Sequence, residues 1–223
     1  MLDFLYGLVL LFEVILSIII GIFIIRRDRT QLLNQVFLLV MFAFAGYLFF
    51  EAIIYLLNII DLSTIDLLRD ISIVFSTSAV VLLVLSALIV QYGEVVIQRR
   101  IYPIIALLVI VVLVIVGIPF DSANTTISDT YVIFEQADPQ YGIIGKIALL
   151  FIPILGIFFA MIQYLRIRQS SQDSVLRQKL LRLTLGLFLI TVGIAYFAFF
   201  PEFRYPGHIS YIGGLLSLFW AFK

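Results

Sequence analysis

Residues 4–25 read FLYGLVLLFEVILSIIIGIFII, and Arg26-Arg27-Asp28-Arg29 follows at once. A helix needs about 20 apolar residues to cross the hydrocarbon core of a bilayer, and this run is long enough. Only Tyr6, Glu13 and Ser17 interrupt it with polar side chains. The run is too long for a cleavable signal peptide, and no basic segment precedes it. We therefore predict that it forms a membrane-spanning helix.

Six further apolar runs follow the first, separated by polar segments. They cover residues 32–60, 67–92, 101–120, 143–165, 183–200 and 209–222. We interpret all seven runs as helices because an isolated strand cannot satisfy its backbone groups in lipid. A transmembrane barrel would show short segments of alternating hydrophobicity instead. The sequence thus predicts an all-α, polytopic membrane protein in which residues 1–223 form a single domain of seven transmembrane helices.

The composition excludes several classes of protein. Of the 223 residues, 63% are apolar and 13% are charged, whereas soluble proteins have about 25% charged residues. A soluble domain of this length cannot bury so much apolar surface, which excludes a soluble enzyme, a disordered chain and a nucleic-acid-binding protein. There is no cysteine, and neither a catalytic triad nor a phosphate-binding glycine loop is visible. We therefore expect no enzymatic activity, no catalytic residues and no cofactor.

Basic and acidic residues are distributed unevenly over the loops. The loops after runs one, three and five, together with the C-terminus, hold 11 of the 14 basic residues: Arg26, Arg27, Arg29, Arg99, Arg100, Arg166, Arg168, Arg177, Lys179, Arg182 and Lys223. The opposite side holds most of the acidic residues. Cytoplasmic loops carry an excess of Lys and Arg. We therefore expect the N-terminus outside and the C-terminus in the cytoplasm, as an odd number of helices requires.

Two glutamates lie inside apolar runs. Glu13 and Glu51 are predicted at similar depth, in the outer half of the membrane. A charged side chain at the centre of a membrane helix costs about 2.5–3.5 kcal/mol, so such residues usually face the bundle interior. Two interpretations are open. Either these glutamates line a functional site, or they are neutral, hydrogen-bonded packing residues that help to set helix register.

Further polar residues on the outer side extend this candidate site. Tyr6 and Ser17 share a stripe with Glu13, and a second stripe surrounds Glu51 on one face of the second helix. Runs three and five add an aspartate and a lysine near the same side. We predict a ligand-binding pocket that opens outward, lined by Glu13, Tyr47, Glu51, Tyr55, Asn58, Asp70 and Lys146.

The segment 121–141 is unusually long for a connection between helices, and such loops are commonly functional or disordered. Its middle part, residues 130–134, reads TYVIF and is rich in strand formers. We expect this loop to fold as a short hairpin or lid over the outer mouth of the bundle. Asn124-Thr125-Thr126 also matches the short acceptor pattern for N-glycosylation.

His208 is the only histidine and follows Pro206-Gly207. A single histidine does not make a metal site, so we expect none. We interpret His208 as a loop-capping or solvated residue at the outer mouth of the seventh helix, with pH sensing as the alternative. We expect Gly213-Gly214 to allow close helix packing and not to bind phosphate.

Several short segments occur in an order that resembles a known family. They are the cluster 26–29, the aromatic segment GYLFFE at 46–51, Gln91-Tyr92-Gly93, the long outer loop and Tyr141-Gly142. Together they resemble the seven-transmembrane N-terminal sensor region of prokaryotic membrane histidine kinases, over nearly the whole chain. The resemblance implies a ligand sensor that acts on an output module. The sequence ends at Lys223, so we expect no kinase or other output domain. We expect an orphan sensor, a truncated chain or a subunit whose partner is another chain.

Three functions are compatible with these features. The first is a non-enzymatic, receptor-like sensor in a prokaryotic cell membrane, which binds a small-molecule or lipid ligand and signals to a membrane or cytoplasmic partner. The second is an accessory or structural subunit of a larger membrane complex. The third is a small proton-coupled transporter that uses Glu13 and Glu51 as proton carriers.

Overall fold

The computed structural model describes residues 2–93, 95–99, 101–121, 124–128, 131–135, 151–199 and 205–223. Nearly all of them are helical. The helices are α1 (Phe4–Arg27), α2 (Leu32–Leu56), α3 (Leu62–Tyr92), α4 (Val95–Gln98), α5 (Ile101–Asp121), α6 (Ile152–Ser170), α7 (Ser174–Phe199) and α8 (Tyr205–Phe222), and the strands are β1 (Asn124–Ser128) and β2 (Tyr131–Glu135).

Helices α1 to α3 correspond to the first three predicted runs, and α5 to α8 correspond to the last four. Residues 143–150 of the fifth predicted run lie outside the described residues. Helix α7 begins at Ser174, nine residues before the predicted start at residue 183, because a helix continues through polar residues when a cap starts it. The carboxylate of Asp173 accepts a hydrogen bond from the backbone N–H of Val175 at 2.8 Å, which satisfies one free amide of the first turn. Hydropathy therefore located the apolar part of this helix but not its beginning.

Four helices are long and apolar enough to cross a membrane among the residues that the structure describes. They are α1, α2, α3 and residues 174–196 of α7. Large apolar side chains cover the outside of the bundle, and Ile115 on α5 is one example with 65% of its surface exposed. Such a surface is compatible with a lipid bilayer and unfavourable in water. The prediction of a helical protein suited to a membrane is confirmed at this level.

The helices form a closed ring in which α1 contacts α2 and α8, α2 contacts α3, α3 contacts α6, and α7 lies between α6 and α8. Helix α5 packs against α3 outside this ring. Helices α1 and α8 run parallel, as two hydrogen bonds show. Near the start of both helices, the Tyr205 hydroxyl donates a hydrogen bond to the carboxylate of Asp3. Near the end of both helices, Arg27 donates a hydrogen bond to the carbonyl oxygen of Phe222. Residues from the two ends of the chain thus lie side by side.

The ring has two chemically different ends. The basic end is formed where α1, α3, α6 and α8 finish and where α2 and α7 begin. Its described cationic residues are Arg26, Arg27, Arg29, Arg99, Arg166, Arg168, Arg177, Lys179, Arg182 and Lys223. The acidic end is formed where α1, α3 and α8 begin, and it carries Asp3, Asp61 and Asp66. The charge segregation read from the loops is therefore also a segregation in space.

The antiparallel pair α7 and α8 packs unusually closely through glycines. A methyl group on Gly186 would lie 2.9 Å from the carbonyl oxygen of Gly214, and one on Gly214 would lie 2.7 Å from the carbonyl oxygen of Gly186. Ser217 also donates to the carbonyl of Arg182 at 2.9 Å. Small residues allow backbones to approach in this way. The expected close packing is confirmed for Gly214, whereas a methyl group on Gly213 would make only an ordinary van der Waals contact with Leu189, at 3.7 Å.

The strands β1 and β2 form the expected hairpin. They pair antiparallel, with Asn124 opposite Glu135 and Ser128 opposite Tyr131. Val132 is buried, and its backbone N–H lies 3.4 Å from the hydroxyl oxygen of Tyr55 near the end of α2. The hairpin therefore rests on the acidic end of the ring.

Candidate functional site

The most unusual polar contact in the described part of the chain joins α1 to α8. Oε1 of Glu13 lies 2.9 Å from Nδ1 of His208. Both side chains are almost fully buried, with exposures of 0% and 2%. A carboxyl group and an imidazole at this distance share a proton, either as an ion pair or as a neutral acid and a neutral base. The pair is therefore a buried proton-binding unit held between the first and the last helix.

The position of α8 explains why a residue so close to the start of a helix is buried. Glu13 lies nine residues after Phe4, or about 14 Å along α1, whereas His208 lies three residues after Tyr205, or about 5 Å along α8. The two side chains meet, so α8 begins about two turns deeper in the bundle than α1.

This geometry corrects the interpretation of His208. The sequence favoured a loop-capping or solvated residue because Pro206-Gly207 is typical of loops. The structure instead places His208 inside α8, buried and bound to Glu13. Proline fits the first turn of a helix, where its missing N–H would have no partner in any case. Pro206 is thus part of the helix start and not of a loop.

The ring of Tyr6 covers the pair on the side of the acidic end, and the rings of Tyr55 and Tyr205 pack against Tyr6. The ring of Tyr6 meets the His208 ring edge to face with centroids 5.0 Å apart, and it meets the Tyr55 ring at 4.7 Å. Tyr205 contacts Tyr6 at 6.2 Å, and its hydroxyl donates to Asp3 at 2.6 Å. Edge-to-face contacts of this kind fix ring orientation. The aromatic layer holds the imidazole in place and separates it from the acidic end.

The pair continues toward the middle of the bundle through buried hydroxyl groups. Ser17 lies one turn after Glu13 on α1, and Tyr211 lies one turn after His208 on α8. Tyr211 is close enough to Glu13 and to Tyr47 for direct electrostatic interactions. We call Glu13, Ser17, His208, Tyr211 and their tyrosine neighbours Tyr6, Tyr47 and Tyr55 the buried polar cluster.

Three oxygen atoms of the buried polar cluster have no hydrogen-bond partner among the described residues. They are Oε2 of Glu13, Oγ of Ser17 and the hydroxyl oxygen of Tyr211. Each unsatisfied buried polar group costs about 1–3 kcal/mol. Native proteins contain several such atoms close together mainly where water, an ion, a proton or a ligand binds to them. These atoms can accept hydrogen bonds from a small polar group or donate hydrogen bonds to it.

The structure brings together only some of the residues predicted to line the pocket. Glu13, Tyr47 and Tyr55 belong to the buried polar cluster. Glu51 is half-buried between α2 and α3, where the Ser72 hydroxyl lies 3.3 Å from its Oε1. Asp70 lies on α3 two residues before Ser72 and is also half-buried. Glu51 and Asp70 therefore sit at a different helix seam from Glu13.

Asn58 and Lys146 do not join the cluster in the described structure. Helix α2 ends at Leu56, so Asn58 lies beyond the helix and not on its polar face. It adopts a left-handed conformation with φ of 49°, which asparagine tolerates after a helix end, and its side-chain oxygen accepts a hydrogen bond from the backbone of Leu2 at 2.8 Å. Lys146 lies outside the described residues. Asn124 is the first residue of β1, and its glycosylation stays a prediction.

The cluster contains two residues that the sequence did not assign to the site, His208 and Tyr211. Their spacing of three residues was visible, and His208 is the only imidazole in the chain, but the predicted helix began at residue 209 and left His208 outside it. Their proximity to Glu13 was not visible, because 195 residues separate Glu13 from His208. In the described part of the chain, no group of three or more acidic or histidine side chains lies close enough to hold a metal ion.

No protein-family model, curated protein or solved structure matches this chain. The resemblance to kinase sensor regions therefore rests on the sequence features alone.

Proposed function

We propose that this protein is a non-enzymatic membrane sensor whose responding site is the buried polar cluster between α1, α2 and α8. The single observation that supports this most is the Glu13–His208 contact, surrounded by buried oxygen atoms without partners. Ionisable groups inside a membrane domain are expensive and usually functional. A small polar or lipid-like ligand that enters the bundle beside this pair would exchange hydrogen bonds with it. A ligand acts only if it binds one conformation of the bundle more tightly than another.

Helix α8 is the element that connects this site to the opposite end of the protein. It carries His208 and Tyr211 near its beginning, and near its end the carbonyls of Trp220 and Phe222 accept hydrogen bonds from Arg182 and Arg27. A shift of α8 relative to α1 would therefore change contacts at the basic end. A partner chain bound at the basic end would respond to this change in contacts. The resemblance to kinase sensor regions supports the same direction of signalling, although the partner is a separate chain in this proposal.

The proposal includes the topology predicted by the charges, with seven spans in a single domain, the acidic end outside and the basic end in the cytoplasm of a prokaryotic cell. Single cysteines test it without background because the chain has no native cysteine. A cysteine at position 124 should react with an impermeant thiol reagent added outside intact cells. One at position 173 should react only after the cells are opened. Reaction of both from the same side would contradict this topology.

Trp220 offers a direct test of sensing, because it is the only tryptophan and lies on α8 at the basic end. We expect one fraction of a lipid and metabolite extract from the source membrane to change its fluorescence in the purified protein. Glu13→Gln should lose this response, and Glu51→Gln should retain it. A response that survives Glu13→Gln would exclude the buried polar cluster as the site. No response to any fraction would argue against a sensor and favour an accessory subunit.

A second candidate is a small proton-coupled transporter, and the Glu13–His208 pair favours it because carboxylate and histidine side chains form proton relays in pumps and transporters. Its test is distinct. Protein reconstituted in vesicles that contain a pH-sensitive dye should move protons when a substrate gradient is applied, and Glu13→Gln should abolish the flux. Absence of flux with an intact Trp220 response would leave the sensor as the better function.

A further inference from the structure

A groove at the basic end lies between the end of α6 and the beginning of α7, away from the buried polar cluster. It has a volume of about 250 Å³ and is lined by Arg168 from α6 and by Ser174, Arg177, Gln178 and Leu181 from α7. Two guanidinium groups, an amide and a hydroxyl are all hydrogen-bond donors. This set of donors matches an anion with several oxygen atoms, such as a phosphate group.

The lining residues of α7 continue into an apolar strip. Ser174, Arg177, Gln178 and Leu181 are spaced by three, one and three residues, so they share one helix face. Continuing at steps of four, three and four, the same face carries Leu185, Phe188 and Val192. With Leu181 these side chains are 40–49% exposed. One face of α7 therefore changes from polar to apolar as it leaves the basic end and enters the bundle's apolar zone.

Arg168 adds a second observation. Its Nε atom is buried and has no hydrogen-bond partner in the described part of the chain. An arginine donor buried without an acceptor is costly, and the same guanidinium group lines the groove, next to the place where an anionic group would lie. The nearest acidic residue on this segment, Asp173, is exposed and its carboxylate is used to cap α7 at Val175.

We propose that this groove binds an anionic phospholipid, with the phosphate among Arg168, Arg177, Gln178 and Ser174 and one acyl chain along Leu181, Leu185, Phe188 and Val192. The assignment to a phospholipid depends on both the basic groove and the apolar strip, because a free anion would contact only the groove. Basic grooves between membrane helices at this level are suited to lipid headgroups. The proposal is independent of the sensor function, because none of these residues belongs to the buried polar cluster.

The test is a titration of the purified full chain in neutral detergent with short-chain phosphatidylglycerol, followed by the shift of the melting temperature. A ligand that binds only the folded protein raises this temperature in a saturable manner. Phosphatidylcholine of the same chain length, glycerol phosphate and inorganic phosphate are the other probes. We expect strong stabilisation by phosphatidylglycerol alone. Equal stabilisation by phosphatidylcholine, or by inorganic phosphate, would overturn the proposal.

Variants separate this site from general attraction to a basic surface. Arg177→Gln should weaken phosphatidylglycerol binding by about five-fold, and its exposed position makes misfolding no concern. Lys179→Gln is the matched control, since Lys179 carries the same charge on another face of α7 and should change binding by less than about two-fold. Equal losses in both variants would indicate diffuse electrostatics and overturn the site. Phe188→Ser should weaken the lipid but not glycerol phosphate, and unchanged lipid binding would exclude the acyl strip.

Discussion

The two glutamates inside the apolar helices lie at the same level but have different surroundings. Gly7 of α1 contacts Tyr55 and Leu56 of the antiparallel α2, which places Glu51 about level with residue 11 and within one turn of Glu13. Glu13 is fully buried and bound to His208 of α8. Glu51 is half-buried near Ser72 of α3. The two glutamates therefore lie at nearly equal depth in the bundle, and the helix that each one faces decides its burial and its polar partner.

Polar periodicity along the helix would favour Glu51 over Glu13 as the functional residue, and the structure favours Glu13. Glu51 has the richer stripe of polar neighbours on its own helix, but those neighbours separate in the structure. Tyr55 contacts Tyr6 of α1, Tyr47 interacts with Tyr211 of α8, and Asn58 lies beyond the end of α2. Glu13 has only two polar neighbours on its helix, yet it finds an imidazole on a distant one. Neighbours on one helix describe a face, whereas a buried charge needs a partner that usually comes from another helix.

The largest expected effect comes from breaking the buried pair. His208→Ala should lower the free energy of unfolding by about 3–5 kcal/mol, because Glu13 would stay buried without its partner. Ser72→Ala, the corresponding change next to Glu51, should cost about 1 kcal/mol or less. Unfolding by increasing amounts of denaturing detergent in mixed micelles measures both. Similar losses for the two variants would remove the distinction between the sites.

Replacing both members of the pair sharpens the comparison. Glu13→Met combined with His208→Leu should recover most of the stability lost in His208→Ala, because apolar residues of similar volume often replace buried charged pairs without loss. The Trp220 response described above should nevertheless disappear. Recovery of both stability and response would show that the pair is a packing feature. The measurements are the same detergent unfolding curves and the fluorescence titration.

Glu51→Gln should have a small effect, below about 1 kcal/mol, because the amide retains hydrogen bonding to Ser72 and the site is only half-buried. The melting temperature in detergent and the Trp220 response should both stay near those of the native protein. A large loss of stability would instead indicate that Glu51 is charged and paired inside the bundle. In that case the two glutamates would be equivalent after all.

The smallest expected effect concerns the helix ends outside the apolar core. Hydrogen bonds from Thr64 and Ser63 hold the pKa of Asp61 below its ordinary value of 3.8. A carboxylate with a lowered pKa in the folded state stabilises the protein above its ordinary pKa, and this contribution is lost as the pH falls through the lower value. Asp61→Asn should therefore flatten the acid side of a plot of melting temperature against pH. An unchanged slope below about pH 4 would contradict this.

Asp28 is the counterpart of Asp61 at the basic end. Hydrogen bonds from Thr30 also lower the pKa of Asp28, with the larger contribution from the Thr30 hydroxyl and the smaller one from its backbone N–H. Asp28→Asn is thus a matched control for Asp61→Asn, and both should change the acid dependence by similar, small amounts because both carboxylates are exposed.

Much of the fold follows from the sequence because the requirements of a bilayer are strong and local. A continuous apolar run has few alternatives to a helix in lipid, and the described helices α1, α2, α3 and α5 match their predicted runs closely. The hairpin was also predictable, since residues 131–134 are strand formers within a loop. Charge segregation between the loops identified the two ends of the bundle, whereas the number of spans and their orientation in a membrane stay predictions that the labelling experiment tests.

The position of the start of α8 is decided by tertiary structure, and so is the contact between His208 and Glu13. The sequence contains Glu13, Ser17 and Tyr6 in one stripe and His208 near a proline, and nothing in their spacing relates them. Closure of the ring brings α8 beside α1 and sets it about two turns deeper, which converts a histidine at a helix start into a buried partner for a glutamate. Local patterns determine which residues can be helical or buried. Which buried polar groups meet depends on helix order and axial offset, and those are properties of the packed bundle as a whole.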